Sequence, residues 1–174
     1  AVLISVRRRV LPPEDMQMVR DFVAVGKPVI GIRTASHAFS LGKKNTPEGY
    51  ADWPEFDAEV FGGNYHGHLG NSLVSTIQAD KELLHPILNT VSNAPFEQGY
   101  SLYNVLPLAT GTTVLATGSA EGHPAEPVAW TYQRADGGRS FYTSLGHPKD
   151  FSNQHFQQLL LNGIHWAVGL DQPP

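Results

Sequence analysis

The chain has 174 residues, 41% hydrophobic and 16% charged, which suits one compact globular domain with a substantial core rather than extended disorder. Its net charge of −4, from 12 basic and 16 acidic residues, disfavours a nucleic-acid partner, because phosphates need a concentrated positive surface. It contains no cysteine, which excludes disulfides, iron–sulfur clusters, thiolate metal sites and a cysteine nucleophile, and leaves the compartment open between cytoplasmic and exported.

Ala1 to Val6 is a continuous apolar run, as expected of a parallel strand covered on both faces. Arg7, Arg8 and Arg9 close it and read as a solvated strand end. The chain opens directly on this strand without an initiator methionine, as a processed chain, an excised domain or one missing its first part would. No apolar run reaches the ~20 residues needed to span a bilayer, so no membrane partner is expected. Pro12 and Pro13 start a helix, Glu14 and Asp15 suit its positive end, and Met16, Val19, Phe22 and Val23 share one face up to Gly26. Pro28 to Ile32 is the next strand, completing a β-α-β unit.

Ser40 to Asp52 reads as a surface loop, and Trp53 to Phe61 as a short helix ended by Gly62 and Gly63. The stretch Gly62 to Gly70 holds four glycines and two histidines, which lets backbone approach a ligand or another loop closely. Leu73 to Ile77 and Ser101 to Leu106 are strand candidates, and Asn93 to Gly99 reads as loop. Thr112 to Thr117, Pro127 to Gln133 and Arg139 to Leu145 are stronger strands, the last two joined across a hairpin signal at Arg134 to Gly138. Phe151 to Val168 has helical periodicity with Asp150 or Ser152 as its cap. The pattern predicts α/β with a mostly parallel sheet and one antiparallel hairpin near the C-terminus.

Four stretches carry a resemblance. They are Gly31-Ile-Arg-Thr-Ala-Ser-His-Ala-Phe39 after a strand; Trp53-Pro-Glu-Phe-Asp57 with Phe61-Gly-Gly-Asn-Tyr-His-Gly-His68; His85-Pro86-Ile87; and Pro127-Val-Ala-Trp130 with Gly138-Arg-Ser-Phe-Tyr-Thr-Ser-Leu-Gly-His147 and the helix ending Asn162 to Gly169. In this order they resemble the ThuA-like family, named for trehalose utilisation. The resemblance implies a flavodoxin-like, class I glutamine amidotransferase-like three-layer fold, and a single ThuA-like domain lacking the family's first strand–helix unit. Many members carry an acid just before the Leu-Tyr matched by Leu102-Tyr103, where this chain has Ser101.

Amidotransferases of that fold place cysteine in a Gly-x-Cys-x-Gly elbow, and matching Gly31 to Ala35 puts Arg33 at the nucleophile position. A guanidinium donates hydrogen bonds and cannot attack a carbonyl, so glutamine hydrolysis is excluded. Arg33 is suited to clamp a carboxylate, phosphate or sugar hydroxyls; alternatively it pairs with Asp57 or Glu59 and pins a loop. Ser36 beside His37 is a weak nucleophile–base candidate, since sequence neighbours seldom align, and His37 is better read as lining the site. His66, His68 and His147, with His37, have three open readings: ligands of zinc or another divalent ion, general acid–base or sugar-binding residues, or loop caps. Tyr65, Tyr103, Trp53 and Trp130 could supply an aromatic surface for a sugar ring. The resemblance, not the composition, implies a small-molecule sugar or sugar derivative as the partner, and a homo-oligomer is compatible with it. The second reading is a non-catalytic binding or interaction domain that kept the scaffold after losing its nucleophile.

Overall fold

The computed structural model describes residues 1–170. Nine strands and two α-helices follow in the order β1 (Val2–Ile4), α1 (Pro13–Ala24), β2 (Val29–Ile32), β3 (Gly67–His68), β4 (Ser75–Ala79), β5 (Phe96–Gln98), β6 (Tyr103–Asn104), β7 (Thr112–Ser119), β8 (Glu126–Gln133), β9 (Arg139–Thr143) and α2 (Gln154–Val168). Seven strands form one sheet in the order β1-β2-β9-β8-β7-β4-β5, and β3 pairs with β6 in a separate two-stranded ribbon.

β1, β2 and β9 run parallel, but β8, β7, β4 and β5 each pair antiparallel with their neighbours, so the sheet is mixed and mostly antiparallel rather than mostly parallel. The cause lies in the connections. The hairpin at 134–138 is legible in the sequence, but the turn at Glu121–Pro124 is a second one, and together they make β7-β8-β9 a meander. Apolar runs buried on both faces look alike whichever way their neighbours run. In this chain Val128, Ala129, Trp130, Phe141 and Tyr142 are all fully buried.

Alternation along β2 and β9 divides the core in two. Val29 and Tyr142 face one apolar cluster with Met16 and Val23 of α1 and the aromatic group Phe39, Trp53, Phe56 and Phe61. Ile30 and Phe141 face the other, with Phe156, Leu159 and Ala167 of α2. Gly31 sits where a β-carbon would meet the rings of Phe61 and Tyr142, so the close approach of this aromatic group to β2 requires glycine.

Local details depart from expectation in three places. The predicted helix at Trp53 to Phe61 is a turn followed by one π-helical turn, Asp57–Phe61, ended by Gly62 at φ 63. The cap of α2 is Asn153, whose side chain accepts from the N–H groups of His155 and Phe156; Asp150 instead accepts from Gly146 and His147 N–H. Phe96–Gln98, within the stretch read as loop, is the edge strand β5. Among the described residues no helix is long and apolar enough to cross a membrane.

Candidate functional site

The site is built where β2 ends. The strand runs out at Ile32, and Arg33–His37 follow as a 3₁₀ turn. Arg33 itself adopts φ 49, a left-handed conformation that costs a non-glycine residue about 1–2 kcal/mol. The geometry is held by Tyr142 Oη, which donates to the Arg33 carbonyl at 2.7 Å. The half-buried guanidinium donates to the Ser144 carbonyl (3.3 Å) and to Ser101 Oγ (3.1 Å), and lies 5.5 Å from the Tyr103 ring centroid. It pairs with neither Asp57 nor Glu59: Asp57 accepts from Tyr65 N–H, and Glu59 accepts from Trp53 Nε1.

Beside it, His37 is 7% exposed and stacks on Tyr65 with ring centroids 4.5 Å apart. Tyr65 lies 4.8 Å from Tyr103, and Tyr103 lies 6.1 Å from His37 and 6.2 Å from His68. The β3–β6 ribbon makes this convergence, pairing His68 with Tyr103 in register. Burial is the main cause that lowers the His37 pKa to about 4, followed by the charges of Arg8, Arg7, His68 and Arg33. The imidazole is therefore neutral at physiological pH. Burial raises the pKa values of Tyr65 and Tyr103, so both keep their hydroxyl protons.

The 3₁₀ turn also brings Ser36 Oγ to 3.1 Å from His37 Nδ1, a contact that sequence adjacency alone argues against. Ser36 is 5% exposed and also donates toward the Arg33 carbonyl at 3.4 Å, so its hydroxyl is enclosed within the turn.

The other histidines are dispersed. His66 is exposed, with Nδ1 2.8 Å from the Asn64 carbonyl, and His68, also exposed, has Nδ1 2.9 Å from the Leu69 carbonyl. His147 stacks on Tyr100 with centroids 3.3 Å apart, and partial burial followed by the Arg33 charge lowers its pKa. Among the described residues no three His, Asp or Glu side chains are grouped to hold a metal ion, so His66, His68 and His147 do not form a ligand set here.

Trp53 and Trp130 are core residues, 5% and 0% exposed, not sugar-packing surface. Trp130 Nε1 donates to the Phe61 carbonyl at 2.7 Å. Asp57 lies beneath the site, 8% exposed, with Oδ2 accepting from Tyr65 N–H at 2.8 Å and Oδ1 without a partner. Burial raises its pKa to about 7. A cavity of about 550 Å³ lies at the opposite, amino edge of β2 and β9, lined by Arg20, Trp53, Glu59 and Arg134 among others. Its polar groups are engaged with one another: Arg20 stacks on Trp53, Trp53 donates to Glu59, and Arg134 pairs with Asp136.

Sequence reasoning misses Arg7 and Arg8. They reach the site only because β1 pairs parallel with β2, which sends both strand ends to the same edge, where Arg8 N–H donates to the His37 carbonyl at 3.1 Å.

Fold and site together define a mixed α/β protein whose strand-end turn presents a cation and a neutral imidazole instead of a nucleophile. The chain belongs to the ThuA family, described as trehalose utilisation, whose model matches residues 1–167; this gives it a carbohydrate-related role at the level of the family. It is similar to a structure described as a ThuA-like protein from Parabacteroides merdae, with 18% identity, TM-score 0.71, and coverage of 99% of this chain and 72% of that one. A ThuA-like protein from Bacteroides uniformis is comparable at 17% identity and TM-score 0.70, covering 98% and 69%. A β-galactosidase from Bacillus circulans sp. alkalophilus matches at 16% identity and TM-score 0.59, over 93% of this chain and 22% of that one. At such identities the likeness is one of fold. Among functionally curated proteins nothing matches.

Proposed function

We propose that this chain serves carbohydrate metabolism by holding a sugar or sugar derivative at the cluster of Arg33, His37, Tyr65 and Tyr103, without glutamine amidotransferase chemistry. One observation carries the reading: a guanidinium with neutral hydrogen-bond partners lies over an aromatic ring beside a neutral, stacked imidazole. Small-molecule sites combine aromatic walls with a few placed polar groups, and sugars ask for this combination of ring faces and hydroxyl partners. Neutral His37 has one ring nitrogen that donates and one that accepts, so it can hydrogen-bond a sugar hydroxyl, while its lowered pKa makes it a weak base. The family description supports a sugar as the class of ligand.

The binding-module reading is favoured by the enclosure of Ser36, which closes off the one hydroxyl found against the imidazole as a nucleophile. Both readings use the same cluster and part on turnover. A thermal-shift screen of neutral sugars, sugar acids and sugar phosphates on wild type and Arg33→Ala tests the site itself. A ligand-dependent shift in wild type that is absent from Arg33→Ala is expected; identical behaviour of the two proteins overturns the reading. Following the stabilising sugar by NMR over hours then separates action from binding, since a module leaves the spectrum unchanged.

A further inference from the structure

We infer that the ligand is an anionic sugar derivative, bearing a carboxylate or phosphate, and that Arg7 and Arg8 join Arg33 in gripping its charge. This rests on the reading of the Arg33 cluster as a sugar site.

The backbone gives the first argument. Among the described residues, the non-glycine residues with positive φ are Arg8 (51°) and Arg33 (49°). Arg33 directly follows β2, and Arg8 lies four residues beyond the end of the adjacent parallel strand β1, whose register pairs Ile4 with Gly31. Left-handed conformations at residues other than glycine cost about 1–3 kcal/mol and persist where surrounding structure enforces them, often at binding sites. Here both strained residues are arginines, and they share one edge. The loop carrying Arg8 lies along the 3₁₀ turn of the site, with Arg8 N–H on the His37 carbonyl and Arg9 N–H on the Ala38 carbonyl at 2.6 Å.

Charge gives the second. Arg7, Arg8 and Arg33 all act on His37 and on Tyr65, and Arg7 and Arg33 also act on Tyr103, so three guanidinium groups set the potential around the same rings. Among the described residues the ion pair is Arg134 with Asp136, which leaves these three without a carboxylate. The partners of Arg33 and Arg8 are neutral oxygens: the Ser144 carbonyl, Ser101 Oγ and the Ser40 carbonyl. In a chain with more acids than bases, three cations thus act on the same rings, and among the described residues none of them is paired with a carboxylate. An anion bound between them relieves their repulsion, and planar guanidinium forks match carboxylate and phosphate oxygens. A merely solvated strand end does not require Arg8 to be strained or docked; Arg9, the third of the run, does not act on these rings and serves as the internal control.

Isothermal titration of the whole chain with glucose, glucuronate and glucose 6-phosphate, at low and at physiological salt, tests this. The anionic sugars are expected to bind at least about tenfold tighter than glucose, with the advantage shrinking as salt rises. Whichever of the two binds tighter identifies carboxylate or phosphate as the charge recognised. The Arg7→Gln/Arg8→Gln pair should cost about tenfold in affinity for the anion and under about twofold for glucose. Ser101→Asp, which places a carboxylate against Arg33, should cost as much, and Arg9→Gln should change nothing. Arg7 is exposed, so Arg7→Gln alone keeps the test readable if the double variant folds poorly. Equal affinity for charged and neutral sugars, or an Arg7→Gln/Arg8→Gln protein that keeps its anion affinity, overturns the inference and leaves the sugar site standing. Wild type that binds none of the three overturns the sugar site and this inference together.

Discussion

Two arginines at opposite edges of the same strands show how alike side chains take different work. Arg134, at the amino edge of β2 and β9, is 3% exposed and fully engaged: its Nε meets both Asp136 oxygens, and its amino groups donate to Ser140 Oγ and to the carbonyls of Arg139, Val23 and Lys27. It joins α1 to the sheet, and its charge is balanced. Arg33, at the carboxyl edge, makes two hydrogen bonds to neutral oxygens from a strained backbone, and among the described residues no carboxylate balances it. A satisfied, neutralised guanidinium holds a fold together. On the proposed reading, one kept under strain with unspent charge is arranged for something that arrives from outside.

The contrast can be broken most forcefully at Arg134. Replacing it with methionine strands Asp136 and the carbonyls it served, and should cost about 3–5 kcal/mol, or about 10 °C in melting temperature. Chemical denaturation checks this; a loss below about 1 kcal/mol would erase the distinction between the two edges.

Asp57 should give the opposite sign at the site edge. Its folded pKa of about 7 lies above the ordinary value of 3.8, so the folded state favours the neutral acid. The stability it contributes is fully present below about pH 4 and is lost as pH rises through 7, to a limit of about 4 kcal/mol for a shift of about three units. Asp57→Asn removes that loss but leaves an amide hydrogen unpartnered. It should therefore stabilise the protein by about 2 kcal/mol at pH 8 and destabilise it by about 1–2 kcal/mol at pH 4, where the acid is already neutral and only the amide cost remains. Urea denaturation at both pH values measures it, and equal effects at both would contradict the assignment.

A smaller effect concerns His37. Its lowered pKa, about 4 against the ordinary 6.5, means that the stability it contributes is present above 6.5 and lost as pH falls through 4. Ligand affinity should accordingly stay flat from about pH 8 to about pH 5, halve by about pH 4 and fall about tenfold for each unit below that as the imidazole takes a proton. A midpoint near 6.5 would place His37 in water rather than against Tyr65. Smallest of all, Arg9→Gln should alter stability by less than about 0.5 kcal/mol.

Much of the carboxyl edge is legible in the sequence, because its signals are local. The apolar run Pro28 to Ile32, the glycines at 62, 63 and 67, and the absence of cysteine mark a strand-end turn without a cysteine nucleophile. What the sequence hides is whatever depends on pairing partners. Strand direction beyond β9 is set by the turn at Glu121–Pro124, and a doubly buried strand carries no mark of its neighbours' direction. The histidines look alike as Gly-flanked residues, yet ribbon pairing sends His68 toward Tyr103 while His147 stacks on Tyr100. Arg7 and Arg8 read as a solvated end because only β1–β2 pairing brings them to His37. Asn153 does not stand out as a cap because Asp150 and Ser152 lie equally near the helix start, and only the fold engages Asp150 with the Gly146 and His147 amides.

The central claim is that Arg33 binds rather than builds, and melting Arg33→Lys with and without the best sugar ligand tests it most directly. Lysine keeps the charge and loses the fork. The unliganded variant should melt within about 2 °C of wild type, and the ligand-induced rise should vanish. An unliganded melting point as low as that of Arg134→Met, with the ligand-induced rise intact, would make Arg33 a structural residue and the account wrong.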